Sequence, residues 1–381
     1  MIALNMSSAV PFASELIEFD SVSAKTNLPV TERVEQWLRS LHFEIERVDY
    51  IDPAGVPKAN LIGKLGRGSG GMAYFCHTDV VPGGAWAVEE HGPFEPMQKQ
   101  GRLYGRGSTD MKGSLACMLA AVQQIPVDSL QSPVYLCCTA DEEVGMLGAE
   151  QVALRSALYR EMVAGDTRGI IGEPTSFNVI YGHKGGCGIR ITARGVAAHS
   201  STIKGISANW KMIPFLQEMK ELHAELESSP EWQNDEFVPP TTSLNLGISD
   251  YNPAMNVTAA RSVCTLYFRA MPGMNSDPII SRIREAADRH GLEYEQIFRA
   301  TPFYRDAQSE FVQECLEFSH STRPMTVAYG TDAARFGELK NCVIMGPGDI
   351  AQAHTSDEWI SLEDLTKGTE MYLQMIRRWC L

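Results

Sequence analysis

The sequence predicts an α/β protein whose main part is a mostly parallel sheet, with a smaller α+β layer inserted. Three observations lead there. Buried-looking strand runs alternate with helical periodicity up to about residue 184 and again after about residue 300, the rhythm of βαβ units. In between, stretches such as "GCGIRITARGVAAHSS" switch to polar–apolar alternation, which suits strands with one wet face. Finally, 381 residues exceed what one core usually organises. The expected division is a discontinuous domain, 1–184 plus 300–381, with 185–299 hung from it.

Taken in order, "ERVEQWLRSL" (32–41) has helical spacing, and "ANLIGKLG" and "GGMAYFCHTD" read as strands. The segment "TDMKGSLACMLAAVQQI" (109–125) is expected to be a helix with Thr109 or Asp110 near its N-cap. "PVYLCCTADEEVG" is a strand running into an acidic loop, and "RGIIGEPTS" repeats that design. The insert holds a polar helix at about 206–227, the strands "TTSLNLGIS", "SVCTLYFRAMPG" and "LEYEQIF", and a helix at 276–290. The first style then returns with a helix at 308–320, the buried strand of "NCVIMGPGD", and a last helix opened by Ser361 and Asp364 in a capping-box spacing.

Composition narrows the partners. Asp plus Glu is 47 against 33 Lys plus Arg, a net charge of −14, which repels phosphate backbones and anionic headgroups. Nucleic acid and membrane are therefore not expected partners. Nine scattered cysteines without a C-x-x-C pair argue against a disulfide framework. With no basic leader and no apolar run near the ~20 residues of a bilayer span, a cytoplasmic protein is expected.

Chemistry gathers at strand ends. His77 and Asp79, one residue apart after "MAYF", share a side of their strand. Glu142 with Glu143, Glu173 and His354 each follow a buried strand, the edge where sites assemble in open α/β sheets. Asp110 follows the glycine-rich "LYGRGSTD". Two imidazoles and at least three carboxylates suit Zn²⁺, Co²⁺ or Mn²⁺ better than copper or an iron–sulfur centre. Singly, H-x-D, "DEEVG", "GEP" and "QAH" are ordinary surface pairs, turns or loops; their joint placement carries the information. His42, His91, His183, His223, His290 and His320 lie outside these motifs and read as structural or surface residues, and Cys76 as a small apolar filler.

The motifs "HTDVVPGG" (77–84), "LYGRGSTDMKG" (103–113), "TADEEVGMLGAE" (139–150), "IGEPT" (171–175), "GVAAHSS" (195–201) and "MGPGDIAQAHTSDEWISLEDL" (345–365) resemble, in order, those of the dinuclear-zinc aminoacyl hydrolases. That family includes deacetylases, desuccinylases, aminoacylases and carboxypeptidases. The resemblance implies a zinc-exopeptidase-like catalytic domain whose inserted sandwich serves as lid and dimerisation domain. It further implies two divalent ions, Zn²⁺ first with Co²⁺ or Mn²⁺ as alternatives. One would be held by His77 and Glu173, the other by Glu143 and His354, with Asp110 bridging. Asp79 would accept the remaining ring N–H of His77, and a cis peptide is expected at Asp110–Met111.

Carried over in the same way, Glu142 is the general base that takes a proton from water and gives it to the leaving amine. His199 supplies a donor to the developing oxyanion, from the same chain or from a partner subunit. Arg269 would bind a substrate carboxylate, with Asn256, Gly330, Thr331 and Lys184 as further substrate-binding candidates. The implied reaction is hydrolysis of an N-acyl amino acid by a homodimer. N-acetylornithine is the substrate the "IGEPT" and "GPGDIAQAH" motifs lean toward, with N-succinyl-diaminopimelate, a related deacylase or carboxypeptidase substrate, or a non-catalytic binding role as alternatives. "MNVTAAR" and "GTDAAR" depart from the family's usual specificity elements and leave the substrate's identity open.

Overall fold

Every residue of the strand Met72–His77 is buried, and successive side chains leave on opposite faces. On one face Tyr74 meets Tyr372 edge-on at 5.1 Å between ring centres; on the other Phe75 meets Phe336 at 4.5 Å. A strand apolar on both sides demands cover on both sides, which is why helices flank the sheet. These features come from a computed structural model that describes residues 8–84, 86–252 and 254–381.

In chain order the elements begin α1 (Ala9–Ile17), α2 (Leu28–Ser40), β1 (Glu44–Ile51), β2 (Pro57–Leu65), β3 (Met72–His77), β4 (Met97–Lys99), β5 (Arg102–Tyr104), α3 (Gly113–Val122), β6 (Val134–Thr139), α4 (Leu147–Arg155), α5 (Ala157–Ala164), β7 (Arg168–Ile171) and β8 (Ile180–His183). There follow β9 (Gly186–Arg194), α6 (Ala208–Ser228), β10 (Leu244–Ser249), β11 (Arg261–Phe268), α7 (Asp277–Arg289), β12 (Glu293–Ala300) and β13 (Phe303–Tyr304). The chain closes with α8 (Glu310–Cys315), β14 (Met325–Val327), β15 (Cys342–Ile344), β16 (Trp359–Ser361) and α9 (Leu362–Cys380).

The described residues divide into two compact units: those within 1–181, 305–325 and 331–381 form the first, and those within 182–304 and 326–330 the second. In the first, the sheet runs β1-β2-β6-β3-β7-β15. Its centre, β6-β3-β7-β15, is parallel, while β1 and β2 add antiparallel strands at one side. The parallel strands all present their C-terminal ends along one edge. Beneath one face α3 is buried along its whole length and packs with α1 and α9 in the larger core. A hydroxyl chain, Tyr74 to Ser114 to Tyr372 with both links 2.8 Å, threads that core. A small sheet, β16-β5-β4, stands apart.

In the second unit an antiparallel sheet, β10-β11-β9-β12, is backed by α6 and α7. Ile189, Ile191, Leu266, Phe215, Met219 and Ile283 form its core.

One helix starts later than its sequence suggests. Instead of opening at Thr109, α3 opens at Gly113, because Asp110 (φ −120, ψ 93) and Met111 (φ −133, ψ 30) take non-helical conformations. The amides of Thr109 and Asp110 donate to the Glu358 carboxylate rather than being capped locally. The expected cis peptide lies at Asp110–Met111. The helix expected over 308–320 is shorter, ending at Cys315 before a single tight turn. At α9 the Ser361 hydroxyl accepts the Asp364 amide at 2.8 Å, as its spacing predicts.

Candidate metal centre

The loops that follow β3, β6, β7 and β15, with the turn before α3, converge within the first unit. His77 ends β3, Glu142 and Glu143 form the tight turn after β6, and Glu173 follows β7. His354 lies beyond β15 with a left-handed backbone, φ 64. Two triads result: His77, Asp110 and Glu173 in one, Asp110, Glu143 and His354 in the other, each with potential ligand atoms within 4.8 Å of one another. Asp110 belongs to both. Its Oδ1 lies 3.0 Å from His77 Nε2, and its Oδ2 lies 3.3 Å from His354 Nε2. Glu173 Oε1 is 3.9 Å from His77 Nε2, and Glu143 Oε2 is 3.0 Å from His354 Nε2.

The electrostatics follow from burying this many acids together. Burial raises Glu142 and Glu173 well above the carboxylate range, and neighbouring carboxylates add to it. Burial also raises Glu143, against the opposing His354 hydrogen bond. For Asp110 burial acts upward, but hydrogen bonds from His354 and His77 outweigh it and hold the group below its usual value. Hydrogen bonds to Asp110 and Glu143 push His354 up to about 10. His77 also rises well above its usual value: burial opposes its charge, yet Asp110 and Glu173 prevail.

Whether metal ions fit is decided by the donor set. Two imidazole nitrogens and three carboxylates are borderline and hard ligands arranged as two sites sharing one aspartate, the pattern of a two-cation clamp. Asp79 and Asp332 are buried beside them, and Asp332 Oδ1 has no hydrogen-bond partner among the described residues. That crowding of buried carboxyl groups is what bound cations would relieve, by favouring their ionised forms.

Asp79 acts differently from expectation. The His77 Nδ1 lies 2.9 Å from the main-chain carbonyl of Asp79, whereas the Asp79 carboxylate is 3.7 Å away. The carboxylate is engaged elsewhere: it accepts the Ser23 hydroxyl at 2.7 Å and the amides of Glu142 and Glu143 at 3.2 and 3.3 Å. Asp79 thus fixes the imidazole through its backbone and the two glutamates through its side chain.

A family model described as "Peptidase family M20/M25/M40" matches residues 73–378, most of the chain and all five residues of the triads. The chain belongs to this family. It is a metal-dependent amidohydrolase of the M20 kind. An acetylornithine deacetylase of Myxococcus xanthus is 31% identical over 379 residues, 96% of each chain. An acetylornithine deacetylase of Proteus mirabilis is 31% identical over 382 residues, 96% of this chain and 95% of its own. Among solved structures, the dipeptidase Dug1p from Saccharomyces cerevisiae superposes with a TM-score of 0.76 at 16% identity, over 97% of this chain and 96% of that one. Human carnosine dipeptidase 1 gives 0.72 at 16%, over 98% and 97%. These structural likenesses speak to the fold.

Several buried polar residues around this M20 centre escaped the sequence reading. Asp332 accepts the Thr139 hydroxyl at 2.5 Å, and burial pushes its carboxyl up to about 7. Lys58 is fully buried with its amine 2.7 Å from Asp141, the residue before the two glutamates. Arg106 and Glu358 pair at 2.6 Å. Arg106, Asp141, Asp332 and Glu358 lay inside quoted motifs; of these, Arg106, set between two glycines, carried a local signal.

His199, Asn256, Arg269, Lys184 and Gly330 belong to the second unit, and Thr331 to the first. His199 Nδ1 faces the Ser201 hydroxyl at 2.7 Å, and Asn256 offers its carbonyl to the Ser200 amide at 2.9 Å. The Arg269 guanidinium lies over the Tyr267 ring at 4.9 Å. Lys184 is buried and donates to the carbonyls of Pro239 and Thr241, both at 2.7 Å. Burial and Arg269 press its amine down to about 8. Thr331 caps the turn carrying Asp332, accepting the Ala333 amide at 3.2 Å.

Proposed function

We propose that the chain hydrolyses the amide of an N-acyl amino acid, N-acetylornithine foremost, releasing ornithine and acetate. The observation that carries this is the pair of triads sharing Asp110, with Glu142 beside both and part of neither. His77 and Glu173 would hold one ion, Glu143 and His354 the other, and Asp110 both, with zinc the first candidate and cobalt or manganese the alternatives. Bound there, two divalent cations acidify water and polarise the scissile carbonyl.

Glu142 takes the water proton as oxygen adds to the carbonyl carbon. It returns that proton to the nitrogen as the C–N bond breaks, so one carboxyl serves as base and then acid. A carboxyl raised by burial suits that double duty near neutral pH. Asp79 holds the Glu142 amide and so aims its side chain. His199 is the proposed donor to the oxyanion and Arg269 the proposed partner of the substrate carboxylate. Asn256, Gly330 and Thr331 would complete the binding set. Lys184, already committed to two carbonyls, is its weakest donor.

The nine cysteines are all free thiols, which supports a reducing, cytoplasmic setting. No helix among the described residues is long and apolar enough to cross a membrane. The acetylornithine deacetylase relatives support the substrate choice.

The test is a panel of N-acetylornithine, N-acetylcitrulline, N-succinyl-diaminopimelate and dipeptides, compared by kcat/KM with zinc or cobalt supplied. N-acetylornithine is expected to lead. A succinylated substrate in first place would reassign specificity, and no turnover of any amide would overturn the proposal.

A further inference from the structure

The Glu358 carboxylate is buried, and four donors converge on it. Oε2 accepts Arg106 Nη1 at 2.6 Å and the Gly107 amide at 3.0 Å; Oε1 accepts the Thr109 amide at 2.9 Å and the Asp110 amide at 3.0 Å. Three of the four are main-chain groups of the turn that delivers Asp110. Arg106, also buried, reaches further. Its Nη2 donates to the carbonyl of Thr355 at 2.9 Å, next to His354, and lies 3.4 Å from the carbonyl of Pro82, on the segment after His77 and Asp79. Neither side chain belongs to the triads, yet together they tie down three segments that carry triad residues.

We propose that Arg106 and Glu358 are positioning residues. They fix the Asp110 turn against the His354 loop, and so set how tightly the second ion is held and how fast the enzyme turns over, without touching substrate. The inference rests on the two-ion reading above. Charge-assisted hydrogen bonds from amides to a buried carboxylate are short and directional. A ligand held through its own backbone amide has little freedom to swing. Groups behind metal ligands typically change affinity or activity by about 10–100-fold when altered.

Two near-isosteric variants test this. In Glu358→Gln one oxygen becomes an NH₂ that faces N–H donors unable to accept from it, so two of the four bonds are lost. Arg106→Lys keeps the charge but cannot span Glu358 and Thr355 together. With near-UV circular dichroism as the check on folding, zinc is titrated into chelator-treated wild type and both variants. The visible spectrum of the cobalt forms is recorded beside kcat and KM.

Expected is native-like folding with one of two ions weakened about 10–100-fold, a changed cobalt spectrum, a lower kcat and a KM near wild type. The double variant should lose no more than the worse single one. Native affinity for both ions in both variants, beside a two-ion wild type, overturns the positioning role alone. So does loss of folded structure in both, which would make the pair a structural clasp. A wild type that binds fewer than two ions overturns the metal reading and this inference with it.

Discussion

Glu142 and Glu143 are neighbours in sequence, yet Glu143 joins a triad and Glu142 does not. On the proposed reading, Glu143 would face a cation and Glu142 the attacking water. Glu142→Gln is therefore expected to keep both ions and lose about 10²–10⁴-fold in kcat, measured with metal content on the same sample. Retained activity would remove Glu142 from the chemistry. His354 gives a second expectation with a sign. Its pKa of about 10 without metal means that it is protonated at neutral pH, whereas a ligand nitrogen must be deprotonated. Metal uptake should thus expel protons, and apparent zinc affinity should rise as pH rises toward that value. Calorimetry in buffers of different ionisation enthalpy reads the proton count; zero protons released would refute the coupling.

Among the elements, the strands and their terminal loops were the most legible part of the sequence. A run such as "MAYFCH" is apolar on both faces, so it must be central, and whatever follows it must emerge at the sheet edge. The turn before α3 was less legible. Its amides are satisfied by Glu358, 248 residues away from Asp110, and no local pattern announces a partner so distant. Asp79 misled for a similar reason: spacing placed it beside His77 but could not show that Ser23 and two amides occupy its carboxylate. The turn also makes a prediction about Gly113. A Cβ there would run into the Ser108 carbonyl oxygen, so Gly113→Ala should cost about 1–3 kcal/mol of stability and weaken metal binding with it. Denaturant unfolding and a zinc titration check this, and an unaffected variant would show that the turn tolerates a shift.

For the whole molecule, a net charge of −14 and buried acids at one site leave folding sensitive to cations. A ligand that binds only the folded chain stabilises it, by about 2.7 kcal/mol at a hundred times its Kd. Chelation should therefore lower the thermal midpoint and zinc restore it, whereas an unchanged midpoint would mean that metal contributes nothing to the fold. Assembly belongs to this scale too. The second unit leaves Trp210, Ile213, Ile248 and Tyr251 on its surface, 74%, 48%, 58% and 70% exposed. An apolar surface of this kind invites a partner, and a second copy is the proposed one. Light scattering should report a dimer that Ile213→Asp weakens; a monomer at all concentrations would argue against it.

The most direct measurement is anomalous diffraction at the zinc edge from crystals grown with zinc. Two peaks about 3.5–4 Å apart are expected, one bounded by His77, Asp110 and Glu173, the other by Asp110, Glu143 and His354. A single peak, or density away from Asp110, would contradict the shared-aspartate centre.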